Sequence, residues 1–187
     1  MIISAMLLAG GESRRMGQDK AKLIFRGQPL WQIQLDLLRK LEPEEIFVSA
    51  RTDPAWRPLG VQFVSDEAPS RGPLSGLSAT LARIRTDHLL ALAIDMPLMT
   101  EDYLRSLRNL TVPGRGVLPM IGDRAEPLAA IYPKAAKVDL LAALSGSDFS
   151  LQLLTRKLVE AGKLSLVKVS KKEKNLFQNF NDLSVFD

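Results

Sequence analysis

Residues 2–20 read IISAMLLAGGESRRMGQDK, an apolar run that stops at two glycines and passes into a basic loop. The run from 2 to 8 lacks a basic flank and is too short to cross a bilayer, so it predicts a buried strand. A strand that is apolar on both faces must be covered on both faces, as the strands of parallel sheets are. Gly10 and Gly11 then break it, and Arg14, Arg15 and Lys20 follow in the same loop.

The pattern continues along the chain. From Pro29, residues Leu30, Ile33, Leu37 and Leu41 recur at helical spacing with Leu38 beside them, and proline suits a first helical turn. Short apolar runs at 46–48 and 61–64 predict strands, and 74–85 predicts a helix with Leu77, Leu81 and Ile84 on one side. Residues 88–94 form a second fully apolar strand, ending in Asp95-Met96-Pro97. Thr100 followed by Glu101 and Asp102 marks a capped, acidic helix start. Strands at 116–120, 127–132 and 164–169, with helices at 134–144 and 150–161, complete the alternation. The expectation is a single doubly wound, Rossmann-like α/β domain over residues 1–187, a mostly parallel sheet with helices on both faces.

Composition narrows the chemistry. The 187 residues are 46% apolar and 25% charged, ordinary globular values that exclude disordered and low-complexity classes. There is no cysteine, which removes disulfides, thiolate metal sites and cysteine nucleophiles together. With one histidine, His88, a multi-histidine metal site cannot be built, and no G-x-S-x-G elbow supplies a serine nucleophile. His88 begins an apolar strand, away from the expected site, and reads as structural. Trp31 and Trp56 read as packing residues, since 6% aromatics give no interleaved basic and aromatic surface for nucleic acid. The net charge of +4 favours anionic partners without choosing among them. Absent cysteines and the lack of any long apolar stretch predict a cytoplasmic protein with no membrane partner.

In open parallel sheets, ligands bind outside the carboxyl ends of the strands, where strand order reverses. The residues following the early strands are the glycine-rich basic loop, Ser49, Asp66 and Asp95. Glycines let a phosphate approach backbone N–H groups, and the Arg and Lys side chains add positive charge. The loop matches neither the Walker pattern nor G-x-G-x-x-G. Taken alone, each feature has a bland alternative: a solvated arginine pair, a strand-end aspartate that caps a turn, a loop into a helix at Gly72-Pro73-Leu74-Ser75-Gly76. Their convergence on one sheet edge favours a phosphate site with Asp95 as a Mg²⁺ ligand, because Mg²⁺ is commonly held by one or two carboxylates plus substrate phosphates.

These residues resemble a known family. LLAGGESRRMGQDKAKL is similar to the L-A-G-G-x-x-x-R-M-G-x-D-K signature of the molybdenum cofactor guanylyltransferases, of nucleotidyltransferase fold. The resemblance continues through GQPLWQ (27–32), Asp66, GPLSGL (72–77), IDMP (94–97), EPLAAIYP (126–133) and NFND (179–182). It implies transfer of GMP from GTP to molybdenum-bearing molybdopterin, with release of pyrophosphate and Mg²⁺ as cofactor. It further implies backbone contacts to GTP from Leu8, Ala9 and Gly10, phosphate binding by Lys20, and a catalytic role for Arg15, Lys20 and Asp95. Asp66 would lie along the nucleotide, and Asp95 would touch both metal and GTP. Ser49, where some members have Asn, would be a further nucleotide contact. Asn179 and Asn181 match an N-x-N element associated with the pterin end, although the Thr-Pro usual after it is Asp182-Leu183 here. Proteins that deliver the cofactor are the implied protein partners, and no nucleic acid is expected.

Three other readings stay open at this level. A cytidylyltransferase for the same cofactor, or a sugar-phosphate nucleotidyltransferase, would keep the fold and change the substrate. Cytidyl-type relatives more often carry L-A-A-G where this chain has Leu8-Ala9-Gly10-Gly11. A non-catalytic molybdopterin carrier would need none of Asp95, Lys20 and Arg15. A nucleic-acid binder rests on the pI of about 9.5 alone and predicts only salt-sensitive, sequence-blind binding.

Overall fold

Strand β1 (Ser4–Leu8) lies at the centre of the architecture, and its side chains alternate between two cores. Ala5 and Leu7 enter one apolar cluster, while Met6 and Leu8 enter the other. This is why the strand carries no polar alternation: both faces are covered. The computed structural model describes residues 1–10, 19–66 and 70–180.

After β1 come a 3₁₀ turn (Lys20–Lys22) and a hairpin, β2 (Ile24–Phe25) with β3 (Gln28–Pro29). Helix α1 (Leu30–Lys40) buries Leu30, Leu35, Leu37 and Leu38 at the predicted spacing. Strands β4 (Glu45–Ala50) and β5 (Gln62–Ser65) follow, then helix α2 (Pro73–Leu81) and strand β6 (His88–Ala93). Helix α3 (Glu101–Leu110) starts where Thr100 Oγ1 accepts from the Tyr103 amide, with Glu101 and Asp102 in the first turn as predicted. The second half adds β7 (Gly116–Ile121), β8 (Arg124–Ala125), β9 (Ala129–Pro133), α4 (Lys137–Leu144), α5 (Leu151–Glu160) and β10 (Leu164–Lys168).

The sheet runs β10-β7-β9-β6-β1-β4-β5, with β8 paired to β7. β1 is parallel to both β4 and β6, β4 to β5, and β7 to β10, whereas β9 is antiparallel to its neighbours β6 and β7. The sequence anticipates the mostly parallel sheet but not the reversed strand. β9 is buried on both faces like its neighbours, so its composition carries no mark of direction. α2 ends at Leu81, four residues short of the predicted end, although Ile84 beyond it is still buried.

From β1 the chain passes to β4 and β5 on one side, then returns to β6 on the other. The strand order therefore reverses between β1 and β6, and a crevice forms past Leu8 and Ala93. At the opposite edge, Glu45 accepts from the Ser4 hydroxyl at 2.9 Å and the Arg85 amide at 2.9 Å, and its Oε1 pairs with the Arg85 guanidinium at 3.0 Å. Burial alone would raise the Glu45 pKa, but the Arg85 backbone amide, the Ser4 hydroxyl, Gln62 and the Arg85 charge outweigh it and hold it below the usual value. His88, fully buried at this same edge, starts β6 far from the crevice, as the sequence implies. No helix among the described residues is long and apolar enough to cross a membrane.

Candidate nucleotide-binding site

Past the ends of β4 and β5 stands a carboxylate held by a serine and crowded by two glycines. β4 and β5 run parallel in register, pairing Ser49 with Val64 and Ala50 with Ser65, so the next residue, Asp66, emerges beside Ala50. Its amide donates to the Ala50 carbonyl at 3.0 Å. The Ser49 hydroxyl donates to Asp66 Oδ1 at 2.7 Å. Two chain segments crowd this pair. A Cβ at Gly10 would stand 2.8 Å from Asp66 Oδ2, and one at Gly76 would stand 2.8 Å from Asp66 Oδ1 and overlap the Ser49 hydroxyl. Gly10 and Gly76 are therefore glycine because the carboxylate occupies the space of their side chains.

The sequence places Ser49 just past its strand, as a contact to nucleotide. The strand instead continues to Ala50 and leaves Ser49 only 1% exposed, directed at Asp66. Leu8 is buried at the end of β1, and the Ala9 amide donates to the Ser49 carbonyl at 2.9 Å. The exposed backbone at the strand end is that of Gly10.

Helix α2 enters beside this carboxylate. Gly72 adopts φ +64°, a conformation that L side chains rarely take, and Pro73 occupies the first helical turn. The Arg71 amide donates to Ser75 Oγ at 2.8 Å, and the Arg71 guanidinium lies 4.2 Å from the centre of the Phe149 ring. The start of α2 is thus fixed by its own serine and from the α4–α5 connection.

Across the strand reversal stands Asp95, just beyond β6. Its Oδ2 accepts from Lys20 Nζ at 3.3 Å, and the two side chains are 21% and 22% exposed. Residues 75 apart in sequence thus place an ammonium and a carboxylate at the mouth of the crevice. The Ile94 amide donates to the Leu8 carbonyl at 3.1 Å, and the Phe180 amide donates to the Asp95 carbonyl at 2.8 Å. The C-terminal segment is therefore seated against Asp95, with the Phe180 ring edge-on to Phe25. Exposed Asn179 precedes that anchor. Arg15 and Asn181, both expected at the site, lie outside the described residues, as do Gly11 and Arg14.

Between Gly10 and the β4–β5 connection opens a cleft of about 190 Å³, walled by Ala9, Gly10, Asp19, Ala50, Thr52 and Trp56 among others. Asp19 Oδ1 accepts from the Ala21 amide at 3.0 Å and caps the 3₁₀ turn that carries Lys20. Asp19 Oδ2 accepts from Trp56 Nε1 at 3.3 Å. The sequence reads Trp56 as a packing residue and gives Asp19 no separate task. An aspartate before Lys-Ala-Lys is a legible capping signal, but nothing local joins it to a tryptophan 37 residues away.

Among the described residues no group of three or more His, Cys, Asp or Glu could hold a metal by protein ligands alone. Asp95 is a single, partly exposed carboxylate at the mouth of the crevice. That donor set fits a hard divalent cation whose remaining ligands come from substrate phosphates and water.

The chain is similar to known proteins over most of its length. Residues 5–162 match the family described as MobA-like NTP transferase domain. A protein of Opitutus terrae named probable molybdenum cofactor guanylyltransferase is 35% identical over 182 residues, covering 96% of this chain and 90% of its own. The crystal structure of molybdopterin-guanine dinucleotide biosynthesis protein A from Archaeoglobus fulgidus superposes with a TM-score of 0.75 at 23% identity, covering 95% of this chain and 92% of that one. A Mycobacterium tuberculosis protein solved as a complex with manganese superposes with a TM-score of 0.65 at 18% identity, covering 90% and 88%.

Proposed function

The chain belongs to the MobA-like NTP transferase family, and from that premise we propose that it transfers GMP from GTP to molybdenum-bearing molybdopterin, forming the guanine dinucleotide cofactor and releasing pyrophosphate. The observation that carries this reading is the Lys20–Asp95 pair, 3.3 Å apart at the strand reversal, past the ends of β1 and β6.

The reaction needs positioning and charge neutralisation more than a nucleophilic side chain. An oxygen of the acceptor phosphate forms a bond to the α-phosphorus of GTP while the bond from that phosphorus to the pyrophosphate oxygen breaks. The attacking oxygen is already anionic, so no general base is required. This suits a chain without cysteine whose one histidine is buried at the far edge.

Each residue has a definable task. The Gly10 backbone, with Leu8 and Ala9 behind it, receives the nucleotide closely because no Cβ intervenes. Asp66 accepts hydrogen bonds from the nucleoside, and Ser49 acts through Asp66 by holding Oδ1. Lys20 takes the β- and γ-phosphates and steadies the leaving pyrophosphate, with Arg15 supporting it. Asp95 would hold Mg²⁺, which would supply charge neutralisation at the phosphate oxygens. Asn179 and Asn181 serve the pterin end, where the Phe180 amide already ties the C-terminal segment to Asp95. The manganese in the mycobacterial neighbour supports divalent-metal use by this fold. The product passes to cofactor-delivery proteins in the cytoplasm.

Thermal unfolding with Mg²⁺ and GTP, CTP, ATP or UTP at equal concentration tests this reading. A ligand at about 100 times its Kd adds roughly 2.7 kcal/mol of stability. A shift selective for GTP and diminished in Asp95→Ala is expected. A CTP-selective shift would assign the chain to cytidyl transfer, and no shift with any nucleotide would leave a pterin carrier.

A further inference from the structure

Lys20 brings an ammonium to the site, yet its stem is four flexible carbons long, so the direction of that ammonium depends on how the backbone beneath it is held. The residue before it, Asp19, uses both oxygens. Oδ1 caps the 3₁₀ turn through the Ala21 amide at 3.0 Å, and Oδ2 accepts from Trp56 Nε1 at 3.3 Å. The Trp56 indole is in turn stacked on Trp31, with ring centres 5.5 Å apart and planes within 15°. Trp31 lies in the first turn of α1, whose Leu30 and Leu35 are buried in the core. A continuous path therefore joins a core helix, two indoles, one carboxylate and the turn carrying Lys20. Trp56 and Asp19 also form one wall of the cleft beside Gly10, whereas Lys20 points to Asp95.

We propose that Trp56, through its hydrogen bond to Asp19, is a positioning residue that sets Lys20 for the β- and γ-phosphates of the nucleotide. The inference rests on the nucleotidyltransferase reading and adds to it a role for two residues that never touch the reacting atoms. Its signature is selectivity within one ligand series. A nucleoside monophosphate has no β- or γ-phosphate for Lys20 to hold, so its affinity is indifferent to the latch, while that of the triphosphate is not.

The experiment measures Kd for GTP and GMP with Mg²⁺ by titration calorimetry. Trp56→Phe keeps an aromatic ring against Trp31 and removes the N–H donor. Asp19→Asn keeps an oxygen for the Ala21 amide and turns an amide donor toward the indole N–H. Both variants should weaken GTP by about five- to tenfold, the scale of losing one ordinary hydrogen bond, and weaken GMP by a clearly smaller factor. In a Lys20→Met background, Trp56→Phe should add nothing, because coupled residues are not additive. Equal weakening of GTP and GMP, or a full further loss in the Lys20→Met background, would overturn the latch while leaving the nucleotidyltransferase reading intact. Wild-type protein that binds neither nucleotide would overturn both.

Discussion

Gly76 lies so close to Ser49 that a Cβ on the glycine would overlap the serine hydroxyl and approach Asp66 Oδ1 to 2.8 Å. The contact joins helix α2 to the ends of β4 and β5, and it makes the small residue at the helix start a condition of the carboxylate's placement. In an unconstrained helix Ala is favoured over Gly by about 1 kcal/mol. Here the overlap should cost about 1–3 kcal/mol and reverse the sign. Gly76→Ala is expected to lower stability in urea and to weaken GTP at least about tenfold.

Gly10→Ala makes the complementary case. Its Cβ would meet Asp66 Oδ2 at 2.8 Å, but Gly10 is exposed at the strand end, and the carboxylate is a side chain that can swing. Stability should change by about 0.5 kcal/mol or less, the range of ordinary surface changes. Nucleotide affinity should fall markedly. Equilibrium unfolding together with GTP titration separates the two effects.

Ser49→Ala removes the donor to Asp66 Oδ1. A part-buried carboxylate that loses one partner should cost about 1–3 kcal/mol. If Ser49 acts through Asp66, then in an Asp66→Asn background the same substitution should have a much smaller effect on GTP affinity. A full, undiminished loss there would show that Ser49 touches the nucleotide directly.

Asp95→Asn should reduce Mg²⁺-dependent turnover at least about a hundredfold, the scale of losing one preorganised electrostatic group. Its ion pair with Lys20 is partly exposed and worth at most about 1 kcal/mol to folding. The variant should therefore unfold close to wild type, and undiminished turnover would remove Asp95 from the mechanism.

His88 predicts a pH dependence. Burial pushes its pKa below the ordinary value of 6.5, outweighing the opposing carbonyls of Arg115 and Val112 and the charge of Asp87. Between 6.5 and that lower folded-state value, the unfolded chain binds a proton that the folded chain refuses. Stability should thus decline as pH falls below 6.5, by at most about 1.4 kcal/mol per pH unit from this one group. The slope attributable to this group should vanish in His88→Gln, as read from Tm across about pH 5 to 8, where histidine ordinarily titrates.

Residues 2–20 and 88–97 by themselves determined much of this protein. Unbroken apolar strands with intervening helices specify a sheet covered on both faces, and strand-end residues specify which edge faces ligand. Those properties follow from periodicity and local chemistry, which a linear chain carries in full. Only tertiary structure decided that Ser49 is buried against Asp66, that β9 runs antiparallel, and that Trp56 reaches Asp19. Each depends on segments brought together by sheet order. Ser49 meets Asp66 across 17 residues, and Lys20 meets Asp95 across 75. The physical reason is that a side chain's partner is chosen by packing of the whole sheet, while its own sequence neighbours choose only its strand, helix or turn.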